Sequence, residues 1–205
     1  MEKDQDLKMY DTWDRHWRDA GDSCGITWLG KWMFKAKKKS LLKRISDLDI
    51  TTAIEVGCGS GTTLEILQAA GLRCRGIDAS PHAVENCVKK GLNARLQKME
   101  EVQEQFDLVF SDGVLEHFLD FRPHARHFMA ISRRYVLLIQ PNHDSFWGRT
   151  LAYLSGLLRQ RQNVHEYNYR MDDFIQVFDE NRFKLVASDP VFCDVFRLLL
   201  FEKTQ

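Results

Sequence analysis

The stretch Glu55-Val-Gly57-Cys-Gly59-Ser-Gly61 constrains this chain more than any other. A short apolar run, Ala53-Ile-Glu-Val56, leads into it, and Leu64, Ile66 and Leu67 follow at helical spacing. Glycines let a chain turn sharply and let its backbone approach a ligand closely. A helix starting here presents unpaired N–H groups at its N-terminus. Asp78 lies twenty-one residues after Gly57, at the end of a second apolar run from Arg73 to Ile77. A carboxylate so placed can accept hydrogen bonds from both hydroxyls of a ribose. A glycine-rich turn also occurs without any ligand; the pairing with Asp78 favours an adenosine-type cofactor at the carboxyl edge of a parallel sheet.

The loop discriminates between cofactors. A dinucleotide loop reads G-x-G-x-x-G, its third glycine bringing the helix close over a pyrophosphate. Here the glycines run G-x-G-x-G and Thr62 holds the sixth position. Glu55 would repel a pyrophosphate and suits the ammonium of a methionine moiety.

Strand-like and helical runs alternate along the rest of the chain, the pattern of a mostly parallel sheet with helices on both faces. Ser80 is an N-cap with Pro81 at the first helical position, and Gly71 and Gly91 end two helices. Further strands are expected at Asn93–Gln97, Asp107–Ser111 and Tyr135–Gln140, with a helix over Pro123–Ser132. Asp172 or Asp173 caps a late helix bearing Phe174, Ile175 and Phe178, and Asn181 takes the left-handed position at its end. Asp189-Pro190 divides two last strands, Phe183–Ser188 and Val195–Glu202, which pair antiparallel.

Bulk properties narrow the function. Lys+Arg and Asp+Glu both number 29, so no net charge draws the chain to phosphate backbones. Lys35, Lys37, Lys38 and Lys39 form one local basic run, read as a solvated helix face. Five cysteines without CxxC spacing argue against structural zinc and a disulfide framework. The charged start, MEKDQDLKMY, has no apolar core of a signal peptide, and no apolar run approaches the ~20 residues needed to span a bilayer. The expectation is one domain over 1–205 in a reducing cytoplasm, with no transmembrane segment and no nucleic-acid partner.

Taken together, EVGCGSG at 55–61, GIDASPHAVENC at 76–87, FDLVFSDGVLEH at 106–117, YVLLIQPN at 135–142 and DFIQVFDENRFKLV at 173–186 resemble, in order and spacing, the class I S-adenosylmethionine (SAM)-dependent methyltransferases, within their type 11/12 group. The resemblance implies a Rossmann-like α/β fold with a seven-stranded, mostly parallel sheet of order 3-2-1-4-5-7-6, its last strand antiparallel. It implies that Gly57, Cys58, Gly59 and Gly61 line the methionine and ribose of SAM, that Glu55 orients the amino end, and that Asp78 holds the ribose hydroxyls. Ala79 would lie against the adenine, Met99 would offer a backbone N–H to its edge, and Ser111 would sit beside the methionine portion. Two departures stand out: Gln97-Lys98-Met99-Glu100 lacks the family's acidic anchor after the third strand, and Ile131-Ser-Arg-Arg-Tyr135 replaces its Lys-Pro-Gly-Gly turn.

Methyl transfer from a sulfonium is an in-line displacement, so positioning and exclusion of water dominate, and a base is needed only when the acceptor must lose a proton. His117, His143 and His165 are the candidate bases, each weighed against a structural or loop role. A Glu-x-x-Glu-His metal site is broken by Gly113, and no metal is expected. The fourth-strand motif is not the Asn/Asp-Pro-Pro-Tyr of amino-methylating enzymes. Residues 1–48 form a helical aromatic cap and 145–165 an inserted lid-like helix; their aromatic stripes serve as lids, as core packing, or as a peripheral membrane contact. The expected function is SAM-dependent methylation of a small, apolar or aromatic acceptor, the alternatives being an RNA or protein methyltransferase or a non-catalytic SAM-binding module. The oligomeric state is open.

Overall fold

Alternation along the strands builds the core. A computed structural model describes residues 2–20, 28–150, 153 and 166–204. Two helices, α1 (Glu2–Ala20) and α2 (Trp28–Ile45), precede β1 (Thr52–Val56), α3 (Thr62–Ala69), β2 (Arg73–Asp78), α4 (Pro81–Lys89) and β3 (Ala94–Leu96). Then come β4 (Phe106–Asp112), α5 (Arg122–Ala130), β5 (Ser132–Pro141), α6 (Met171–Glu180), β6 (Phe183–Val191) and β7 (Phe196–Lys203). Ile54, Val56, Val109, Val136 and Leu138 face one layer, where Phe128 of α5 and Phe174 and Phe178 of α6 cover them. Their neighbours Ala53, Leu108, Phe110, Leu137 and Ile139 face the other, against Leu41 of α2 and Leu64 and Leu67 of α3. Period-two side chains that are buried on both faces are the signature of a sheet sandwiched between helices.

The sheet order is β3-β2-β1-β4-β5-β7-β6. β1 pairs in parallel with β2 and β4, β4 with β5, and β2 with β3, whereas β7 runs antiparallel to both β5 and β6. The order reverses between β1 and β4, the place where open α/β sheets leave a crevice at their carboxyl ends. This is the topology expected from the sequence.

Local chemistry matches in part. Ser80 caps α4 by accepting the Ala83 N–H at 3.2 Å, with Pro81 at the first turn. Three expectations are corrected. Asn181 is not left-handed: its φ is −111°, and the neighbouring Arg182 takes φ +65°. Asn181 instead donates its side-chain amide to the Val177 carbonyl at 2.7 Å, closing the last turn of α6 by a bond the left-handed cap does not need. The N-cap of α6 is Arg170, and Asp173 reaches back from the third position to accept the Arg170 N–H at 2.8 Å. Asp189-Pro190 lies inside β6, not between the strands. β6 is an edge strand, where a proline without an N–H is tolerated, and the reversal falls at Phe192, Cys193 and Asp194, all with positive φ.

The chain segment after β5 turns helical at 146–150. Apart from Tyr153, the expected lid at 151–165, with His165, lies outside the described residues.

Candidate functional site

The loop after β1 is anchored to the end of β2. Gly57 and Cys58 both donate to the Ile77 carbonyl, at 2.9 and 3.0 Å. The Asp78 carboxylate accepts the Gly59 N–H through one oxygen and the Ser80 N–H through the other, both at 2.9 Å. One side chain thus joins the two loops that form the crevice. Burial pushes the Asp78 carboxyl up, against the pull of those N–H groups. Gly57 has φ +75°, and a Cβ there would meet Val114 Cγ2 at 2.4 Å, so only glycine fits beneath Val114.

A cavity of about 150 Å³ opens at this edge. Gly57, Asp78, Ala79 and Met99 border it, as the sequence led one to expect, together with apolar Ile77, Val114 and Phe118. Glu55, Cys58, Gly59, Gly61 and Ser111 are not in its wall. Ser111 is buried and donates to the Val56 carbonyl at 3.1 Å, tying β4 to β1. Glu55 is buried beneath the loop, and its Oε2 has no hydrogen-bond partner among the described residues. Burial, then the charges of Asp112, Cys87 and Asp78, push its carboxyl well above the usual range.

Helix α1 supplies the other wall: Met9, Tyr10, Trp13 and Trp17 line the cavity. Trp17 covers Gly59, where a Cβ would stand 2.5 Å from the indole Cζ2. Asp14 fastens the helix by accepting the Ser80 hydroxyl at 2.6 Å and lying 3.0 Å from His82 Nδ1. The sequence flagged these tryptophans as a cap, but nothing in it placed Trp17 on the glycine loop.

Of the three histidines, His117 borders the cavity, its ring 4.8 Å from that of Trp13 and edge-on to it. His143 is half-buried in the turn after β5 and is not part of the wall. Glu116, beside His117, is buried; burial drives its carboxyl up to about 8, with Glu166 and Asp112 adding to the rise. Glu100 does not replace the missing acidic anchor. It turns away to His124 Nδ1 at 3.1 Å and the Tyr10 hydroxyl at 3.3 Å. Lys37, expected on a solvated face, is half-buried: its ammonium lies 2.7 Å from Asp112, a cavity residue, and over the Phe196 ring at 3.9 Å. Among the described residues no group of three His, Cys, Asp or Glu could hold a metal.

Residues 29–188 match the family described as a methyltransferase domain. The chain belongs to that family. The methyltransferase is 34% identical to an uncharacterized methyltransferase of Schizosaccharomyces pombe over 95 residues, 43% of this chain. That stretch spans only 36% of the relative's length. Its fold is similar to that of magnesium protoporphyrin IX methyltransferase from Synechocystis, solved with bound SAH, at TM-score 0.72 and 19% identity, covering 98% of both chains. It is also similar to the 1,6-didemethyltoxoflavin-N1-methyltransferase of Burkholderia thailandensis, at TM-score 0.68 and 12% identity, covering 95% of this chain and 88% of the other. The resemblance read from the five motifs, and the sheet order it implied, are borne out.

Proposed function

We propose that this methyltransferase transfers a methyl group from SAM to a small acceptor with an apolar or aromatic body. The observation that carries the reading is the cavity at the sheet's switch point, where Asp78 and the Gly57 turn meet a largely apolar and aromatic wall in which Asp112 and His117 are set. The residues fit the cofactor. In this reading Asp78 takes the ribose hydroxyls, Ala79 and Met99 take the adenine, and the narrow turn at Gly57 gives close backbone approach; that all four border the cavity supports it. The bound cofactor supplies an electrophilic methyl group on a sulfonium. Trp13, Trp17 and Phe118 exclude water around it, which strengthens electrostatic contacts inside the site. His117 is the base of choice for an acceptor that must lose a proton, since it alone of the three candidate histidines borders the cavity among the described residues. The two solved neighbours, named for a porphyrin and a toxoflavin precursor, add support for a small ring-bearing acceptor.

Thermal unfolding tests the cofactor. S-adenosylhomocysteine and SAM should raise the midpoint by mass action, and NAD should not. A shift with NAD and none with SAM overturns the reading. Transfer of labelled methyl to RNA or protein, and to no small aromatic acceptor, overturns the acceptor class.

A further inference from the structure

Helix α2 carries seven basic residues and no acidic one, in a chain whose charges balance only as a whole. Lys37 and Arg44 are engaged with Asp112 and Asp189. Lys31, Lys35, Lys38 and Lys39 are exposed. At the N-terminal end of the same helix, Trp28 is 72% exposed and Trp32 57%, their indoles 5.5 Å apart. Positions 28, 32, 35 and 39 form one stripe along a helix, so indoles and ammonium groups share a face.

The stripe stands at the rim of the sheet. Lys37 meets Asp112 at the carboxyl end of β4, and α2 then runs back toward the start of β1. Trp28 lies nine residues before Lys37 on the same helix, about 13 Å along its axis. A second exposed aromatic pair, Phe146 and Trp147, with rings 5.3 Å apart, follows β5 at the same edge.

We propose that this rim, the Trp28–Trp32 pair with Lys31, Lys35 and Lys39 on α2 and Phe146–Trp147 beyond β5, docks on an anionic bilayer surface. Indoles settle at the headgroup level of a membrane. Lysine stems lie along apolar surface while their ammonium groups stay in water, and anionic leaflets attract basic segments. Charge complementarity selects an anionic surface, and the exposed Phe146 and Leu29 select one with an apolar interior. No helix among the described residues is long and apolar enough to cross a membrane, so the contact is peripheral. The proposal does not depend on which acceptor is methylated.

Flotation of the full chain with phosphatidylcholine vesicles, with and without phosphatidylserine, tests it. Binding is expected with phosphatidylserine and should weaken as salt screens the lysines. Lys35→Gln with Lys39→Gln should lower partitioning about 25-fold, near fivefold for each charge. Trp28→Ser with Trp32→Ser should lower it on both vesicle types. All four positions are on the surface, and a retained thermal shift with S-adenosylhomocysteine shows that each variant is folded. No binding to phosphatidylserine vesicles at low salt overturns the proposal. So does equal binding by the lysine variant, or binding of single-stranded RNA without vesicle binding.

Discussion

Trp17 lies directly on Gly59, its indole filling the space that any side chain at that glycine would need. The contact puts an N-terminal helix on the loop that the sequence marks as the cofactor cradle. Trp17 thus stands over that loop, with α1 fastened there by the bond from Ser80 to Asp14.

Helix α1 is accordingly expected to act as a gate. Trp17→Ala should raise the association rate of S-adenosylhomocysteine about fivefold, because it removes a contact worth about 1 kcal/mol that favours the closed position. In the parent protein, hydrogen exchange in α1 should be faster than in β5 and should slow when S-adenosylhomocysteine binds. Exchange in α1 as slow as in β5 without ligand, with an unchanged association rate in the variant, would show that the helix is permanent core.

Asp78 is expected to have two roles. The carboxylate joins two loops and borders the cavity. Asp78→Ala leaves the Gly59 and Ser80 N–H groups without their acceptor, a loss of about 2 kcal/mol in unfolding free energy. It should also weaken S-adenosylhomocysteine binding by about tenfold or more, one charge-assisted hydrogen bond. Urea unfolding and calorimetry separate the two. Lowered stability with unchanged affinity would make Asp78 a loop staple alone.

Glu116 sets a pH dependence. Burial raises its carboxyl from 4.5 to about 8 in the folded protein. The folded state therefore holds the proton more tightly than the unfolded chain. This contribution is fully present below about pH 4.5 and is lost as pH rises toward 8. Glu116→Gln, which keeps shape and a donor without a charge to bury, should flatten that slope and raise stability at neutral pH by on the order of 2 kcal/mol. Urea midpoints measured from pH 5 to 8 check it; parallel curves for the two proteins would mean that Glu116 is ionised in the fold.

The sheet order was legible only through the family resemblance; the sequence by itself determined the alternation of strands and helices, the glycine turn and the place of Asp78. These rest on local signals: period-two apolar runs, glycines where φ is positive, and Ser80-Pro81 as a helix start. Where local signals compete, the tertiary structure decided. Asp189-Pro190 reads as a turn until β6 becomes an edge strand, paired on one side only, where a residue without an N–H is tolerated. Asn181 reads as a left-handed cap until its amide finds the Val177 carbonyl and passes the positive φ to Arg182. Lys37 reads as one of a solvated run until packing brings Asp112 and Phe196 to it. Glu55 reads as a residue of the cofactor loop, and only packing shows it buried beneath that loop. Trp17 on Gly59 joins residues forty-two apart with no periodicity to announce it. A sequence shows which residues are apolar, charged or turn-forming; which of them meet is settled only when distant segments compete for the same buried space.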